Sequence, residues 1–108
     1  MEVQNELLTS YAWKHLSYNA KLIYLCCSLQ HDLSKRTVMN TPLWDLIKKT
    51  NMRLFQMSYD IIGQYMPSLT ESEYCNAMNE LLYYKFIECY WYTFLDNVYM
   101  LFDGWKSV

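Results

Sequence analysis

The chain has 108 residues and a formal net charge of −2, and 53% of its residues are hydrophobic. These figures predict one packed domain over residues 1–108, and with only two Gly and two Pro they exclude a disordered or collagen-like chain. No apolar run approaches the ~18–20 residues of a membrane span, and the first ten residues lack the charge and hydropathy pattern of a signal peptide. We therefore expect a cytoplasmic protein that is not associated with a membrane.

The first clear helix is predicted over residues 18–30. Ser17 precedes it and is a good N-cap, because its hydroxyl can accept a hydrogen bond from a free amide of the first turn. Apolar residues cover a broad face of this segment, which indicates a central helix. The preceding apolar residues between Leu7 and Ala12 fit a short helix or a strand equally well. Residues 31–40 are polar and are predicted to form a loop.

A second helix is predicted to begin at Thr41 and Pro42, since Thr is a cap and Pro is favoured at the first helical position. The apolar segment 54–66 either continues this helix or forms a separate one. Gly63 weakens the segment and Pro67 ends it. The residues expected on the buried side of the second helix are Leu43, Leu46, Ile47 and, less clearly, Trp44.

The strongest local signal is a capping box, in which Thr70 and Glu73 satisfy each other's backbone amides. A helix follows, because apolar residues recur at intervals of three and four. Its predicted buried residues are Tyr74, Ala77, Met78, Leu81 and Leu82. Its predicted outer residues are Glu73, Asn76, Asn79, Glu80 and Tyr83.

The C-terminal part of the chain is predicted to form a β-hairpin. Residues 86–94 and 98–102 are rich in β-branched and aromatic side chains. Asp96 and Asn97 between them form a turn pair that tolerates positive φ.

Three phrases resemble winged-helix domains of phage and plasmid replication proteins. Residues 16–25 look like their "Leu-Ser-x-x-Ala-Lys-Leu-x-Tyr" opening. Residues 73–88 resemble their passage from helix to wing, which often ends in "Gly-Phe-Ile", although Lys85 stands where Gly is usual. Residues 103–106 resemble a common ending after the wing. The resemblance implies an α+β, mainly α, winged helix-turn-helix-like fold with three or four helices followed by a C-terminal β-hairpin wing.

This resemblance extends to the small replication proteins of staphylococcal cassette elements, one of which partners a polymerase to make primers. It implies a small DNA-replication accessory protein of a mobile element. Such a protein would bind single-stranded nucleic acid with modest affinity, or a polymerase or helicase partner, or both. The seven Lys, two Arg and seven Asn residues agree with AT-rich codons and hence with such an origin.

Charge indicates where nucleic acid would bind. Residues 1–54 carry seven Lys and Arg against four Asp and Glu, whereas residues 55–108 carry two against seven. The capped helix is expected to expose Glu71, Glu73 and Glu80, which would repel phosphates. The predicted nucleic-acid-binding residues are therefore Lys35, Arg36, Lys48, Lys49 and Arg53. The predicted partner-binding or base-stacking residues are Tyr90, Trp91 and Tyr92, although a core position remains the better alternative for any one of them.

Two other functions fit the same features. One is a protein-interaction module, such as a phage-encoded inhibitor of a host enzyme, with the aromatic hairpin as its interface. The other is a dimeric duplex-binding repressor, which the acidic helix disfavours. No residue pattern predicts catalysis by the chain alone, a metal site or a cofactor. His15 and His31 are expected at the surface or as caps, and reduced thiols are expected at Cys26, Cys27, Cys75 and Cys89.

Overall fold

The computed structural model describes residues 5–36, 47, 49, 52–90 and 97–108. It is an α+β structure, mostly helical, with a small antiparallel sheet of three strands. The helices are α1 (Asn5–Thr9), α2 (Tyr11–Lys14), α3 (Tyr18–Arg36), α4 (Tyr59–Ile62), α5 (Glu71–Tyr83) and a short 3-10 helix (Gly104–Ser107). The strands are β1 (Leu54–Gln56), β2 (Ile87–Cys89) and β3 (Val98–Leu101).

The apolar N-terminal segment, which the sequence left open between helix and strand, is helical. Ser10 separates α1 from α2, and its hydroxyl accepts a hydrogen bond from the Trp13 backbone N–H at 3.1 Å. Leu7, Ala12 and Trp13 are buried, so both short helices pack against the rest of the domain. Their stability comes from this packing, because isolated helices of this length are not stable in water.

Helix α3 begins as predicted and ends later than predicted. The Ser17 hydroxyl accepts a hydrogen bond from the Ala20 N–H at 3.2 Å, which confirms the cap. The loop predicted over residues 31–40 is wrong for residues 31–36, which continue the helix to Arg36. The expectation that His31 lies at the surface is also wrong, since it is buried and its Nδ1 bonds the Leu54 carbonyl at 2.8 Å. This hydrogen bond joins the C-terminal part of α3 to β1 and satisfies a polar group of the buried His31 side chain.

Strand β1 corrects the prediction of a helix throughout residues 54–66. Leu54 and Phe55 are fully buried side by side, and β1 pairs with β3. The alternative of a separate helix holds only for α4, where the Ser58 hydroxyl caps the Ile61 N–H at 3.2 Å. A three-residue strand shows no alternation in the sequence, so hydropathy alone does not separate it from a helix.

The sheet has the strand order β1-β3-β2, and both strand pairs are antiparallel. Strands β2 and β3 confirm the two arms of the predicted hairpin, while residues 91–96 lie outside the described residues. Asn97 has a φ of 58°, which the predicted turn pair tolerates. The register differs from that of a turn at residues 96–97 between arms that reach residue 94, because the Val98 carbonyl accepts from the Tyr90 N–H. Helix α3 packs on both α5 and β1, which places the core between these two helices and the sheet.

Helix α5 forms as the sequence predicts. The Thr70 N–H donates to Glu73 Oε1 at 3.0 Å, and the Glu73 N–H donates to Thr70 Oγ1 at 3.2 Å. At the other end, Lys85 has a φ of 63°. Its N–H bonds the Leu82 carbonyl, and the N–H of the next residue, Phe86, bonds the Leu81 carbonyl at 2.9 Å. This is a Schellman motif with Lys in the position that favours Gly. The predicted core residues Tyr74, Ala77, Met78 and Leu81 are buried, and Leu82 is half-buried.

Candidate nucleic-acid interface

The structure describes part of the predicted basic segment, which runs from Lys35 to Arg53. Lys35 and Arg36 form the last two residues of α3, but their side chains lie outside the described part. Lys48 also lies outside it. Lys49 is helical and exposed, and its neighbour Ile47 is buried, as predicted for the second helix. Thr41, Pro42, Leu43, Trp44 and Leu46 are not among the described residues.

Arg53 precedes β1 and is exposed, but its charge is partly compensated. Its guanidinium Nη2 lies 3.0 Å from Asp103 Oδ1, and the two side chains are 47% and 55% exposed. An ion pair this exposed contributes about 0–1 kcal/mol and is easily exchanged for another partner. The pair borders a surface groove of about 500 Å³ that is also lined by Met52, Met100 and Phe102. Arg53 can therefore turn to a phosphate at little energetic cost.

The position of Tyr90 fits a core residue better than the predicted base-stacking residue. It is half-buried and packs against the small cluster of Ile47, Leu54 and Val98. Its backbone N–H donates to the Val98 carbonyl at 2.9 Å. Trp91 and Tyr92 lie outside the described residues. Of the three predicted aromatic residues, the structure therefore describes only one, and that one supports the sheet.

Two of the three α5 carboxylates that were expected to face solvent, Glu73 and Glu80, accept hydrogen bonds within the protein. Glu71 and Glu73 are exposed, but Glu80 is half-buried and accepts hydrogen bonds from both the N–H and the hydroxyl of Ser17. The bond from the Thr70 N–H, followed by that from the Thr70 hydroxyl, lowers the pKa of Glu73 from its ordinary value of 4.5. All three carboxylates thus lie at helix N-termini, Glu71 and Glu73 in the first turn of α5 and Glu80 at the start of α3, where the helix dipole favours negative charge.

An exposed aromatic surface was missed by the sequence analysis. The Tyr11 and His15 rings lie with their centroids 3.9 Å apart and their planes tilted by 32°, and the Tyr84 ring centroid lies 6.4 Å from that of His15. The Tyr83 and Tyr84 rings meet edge to face at 5.0 Å. We call these four residues the tyrosine–histidine surface. The i,i+4 spacing of Tyr11 and His15 brings their rings together only in a helix, and the sequence left this segment open between helix and strand. Nothing in the sequence links these two residues to α5.

The described residues contain four free cysteines, of which Cys26 and Cys27 are buried and Cys75 and Cys89 exposed. Burial raises the pKa of the Cys27 thiol well above its ordinary value of 9.0, which keeps it protonated and unreactive. Within the described ranges, no group of three or more His, Cys, Asp or Glu side chains is placed to hold a metal ion.

None of the helices described here has the length and apolar character needed to cross a membrane. No protein-family model matches this chain, and no curated protein or solved structure matches it.

Proposed function

We propose that this chain is a small DNA-replication accessory protein of a mobile element, with a winged-helix-like fold. In this proposal it binds single-stranded nucleic acid and works beside a polymerase or helicase partner, without catalytic residues of its own. The observation that supports it most is connectivity. Helix α5 turns at Lys85 directly into the β2–β3 ladder, and β1, which precedes the two helices α4 and α5, pairs with the other side of β3. A helical pair followed by an antiparallel ladder is compatible with a winged helix-turn-helix.

Charge favours the connection between α3 and β1 as the nucleic-acid contact. Five of the nine cations of the chain lie from Lys35 to Arg53. Lys49 is exposed, and Arg53 forms an exposed ion pair with Asp103. Cations of this kind neutralise phosphates and release counterions, which gives an affinity without sequence preference that falls with salt.

The first turns of α5 do not favour duplex binding in the usual winged-helix pose. A recognition helix reads base edges with Arg, Lys, Asn or Gln near its N-terminus. Here that end carries the exposed carboxylates of Glu71 and Glu73. The overall net charge of −2 also limits long-range attraction, so the affinity of the chain alone is modest. A DNA-binding polymerase partner raises it through effective concentration.

The proposal is tested by fluorescence-anisotropy titration of labelled single-stranded and double-stranded oligonucleotides at two salt concentrations. We expect the single strand to bind more tightly than the duplex. The triple variant Lys48→Ala/Lys49→Ala/Arg53→Ala should weaken binding to all sequences alike and flatten the dependence on salt. The matched control is Glu71→Gln, which removes one exposed carboxylate and should leave binding unchanged or stronger.

A triple variant that binds as tightly as the parent would place the site elsewhere. If the parent binds neither strand form, alone or with a replication polymerase, the nucleic-acid function is wrong. A protein-interaction module, such as an inhibitor of a host enzyme, then takes its place.

A further inference from the structure

Three rings of the tyrosine–histidine surface, Tyr11, His15 and Tyr83, are exposed, and the fourth, Tyr84, is half-buried. Tyr11, in α2, is 61% exposed and Tyr83, in α5, is 77% exposed, and both helices have buried neighbouring residues. Tyr18, which begins α3 after Ser17, is 75% exposed. Exposing such large rings forgoes the burial that drives folding, so a ligand that covers them regains that free energy.

The His15 ring, which contacts Tyr11 and lies near Tyr84, is held in position by a hydrogen bond. The His15 Nδ1 donates to the Tyr11 carbonyl at 2.8 Å, which fixes the imidazole on the turn of α2. The Tyr11 ring contacts this imidazole, and the ring of Tyr84, which directly follows α5, lies near it. Below them, the Trp13 and Phe86 rings pack edge to face at 6.1 Å in the core. A platform ordered before binding loses little conformational entropy when a ligand stacks on it.

Two exposed cations neighbour members of this surface in the chain. Lys14 is exposed on α2, one turn after Tyr11, and Lys85 is exposed directly after Tyr84. The carbonyl end of a helix repels phosphates, and the ammonium of Lys85 offsets that effect at the end of α5. Glu80, one turn before Tyr83 and Tyr84, is engaged by Ser17. Exposed rings next to cations are the combination on which single-stranded nucleic acid binds, by stacking its bases and pairing its phosphates.

We infer that Tyr11, His15, Tyr83 and Tyr84 form a stacking platform for the unpaired bases of single-stranded nucleic acid, with Lys14 and Lys85 contacting its phosphates. This inference rests on the proposed function and adds a second contact to the basic segment that ends at Arg53. The bases provide affinity that persists in salt, because stacking releases no counterions. Any base can stack on these rings, so the platform carries no sequence preference.

The test compares two double variants by anisotropy with a labelled oligothymidylate and an abasic strand of equal length. Tyr11→Phe/Tyr83→Phe keeps the π-faces, whereas Tyr11→Leu/Tyr83→Leu keeps apolar bulk and removes them. Since stacking contributes about 1–3 kcal/mol per base, the Leu variant should bind oligothymidylate about fivefold or more weakly for each ring lost. The Phe variant should bind like the parent. Neither variant should change affinity for the abasic strand.

The outcomes separate this inference from the proposed function. If the parent binds oligothymidylate and the Leu variant binds it equally well, the platform is wrong and the proposed function stands. If the Leu variant loses affinity for the abasic strand to the same extent, the rings do not stack on bases, which also overturns the platform. If the parent binds neither strand, both are wrong. Loss of a protein partner by the Leu variant in that last case would make the surface a protein interface. Thermal unfolding of each variant confirms that the fold is retained.

Discussion

Glu80, near the C-terminal end of α5, caps the N-terminus of α3 through Ser17. The Ser17 N–H donates to Glu80 Oε1 at 2.8 Å, and the Ser17 hydroxyl donates to Oε2 at 2.6 Å. The same hydroxyl accepts from the Ala20 N–H, so one serine links the first turn of α3 to α5. Charge-assisted bonds of this kind are stronger than neutral ones, and the carboxylate lies where the dipole of α3 favours it.

The Ser17–Glu80 contact predicts a measurable contribution to stability. Glu80→Ala should lower the free energy of unfolding by about 1 kcal/mol, because it leaves a Ser17 donor without its acceptor. In a double-mutant cycle, Ser17→Ala should remove the part of the Glu80→Ala effect that comes from the hydroxyl, because the backbone N–H of residue 17 still donates to Glu80 Oε1. Asn79→Ala is the matched control on the exposed face of the same helix and should not destabilise. Additive single mutants in urea melts would contradict the contact.

The capping box predicts a pH dependence. The pKa of Glu73 is lower in the folded protein than its ordinary value of 4.5, chiefly because its carboxylate accepts the Thr70 N–H. The stabilisation it gives is complete above pH 4.5 and is lost as the pH falls through the lower, folded-state pKa. Glu73→Gln keeps a capping side chain without this titration. Urea melts should show the stability difference between parent and variant shrinking below pH 4.5, and a difference constant down to about pH 2.5 would contradict the capping box.

The left-handed residue at the end of α5 predicts a stabilising substitution. Lys85 has a φ of 63°, a conformation that costs a residue with a Cβ about 1–2 kcal/mol. After allowance for the greater unfolded-state freedom of glycine, Lys85→Gly should raise the free energy of unfolding by about 0.5–1 kcal/mol. Lys85→Ala keeps the Cβ and should change it by less than about 0.5 kcal/mol. A destabilised Lys85→Gly in thermal melts would argue against the Schellman motif.

The buried face of α5 predicts a large core effect. Leu81 is fully buried and Leu82, the next residue, is half-buried. Leu81→Ala should cost about 2–5 kcal/mol through lost burial and the cavity it leaves, and Leu82→Ala should cost clearly less. Chemical denaturation gives both values. A loss under about 0.5 kcal/mol for Leu81→Ala would remove α5 from the core.

Features set by neighbours in the chain could be predicted from the sequence. The caps at Ser17 and Thr70, the buried stripe of α5 and the positive φ of Asn97 each depend on residues within about one turn. Strand β1 could not be predicted, because Leu54 and Phe55 are extended only through their pairing with Met100 and Tyr99 of β3.

In the candidate site, too, features set by neighbouring residues were predictable and contacts between distant residues were not. Its basic residues were predicted by counting charge along the chain, and their binding of nucleic acid stays a prediction. The contact between His15 and Tyr84, the pairing of Arg53 with Asp103 and the capping of Ser17 by Glu80 could not. Each of these joins residues at least 50 positions apart, and only the packing of α2 and α3 against α5 and the sheet brings them together.

The most direct test of the proposed binding mode is an NMR titration of the isotope-labelled chain with single-stranded oligothymidylate. The titration monitors the chemical shifts of the backbone amides and of the aromatic rings. We predict that the largest chemical-shift changes fall on two groups: Lys49 and Arg53 in the basic segment, and the rings of Tyr11 and Tyr83. The first turn of α5, marked by Glu71, should change little. Shifts concentrated in that turn, or spectra unaltered at saturating oligonucleotide, would contradict the proposed mode of binding.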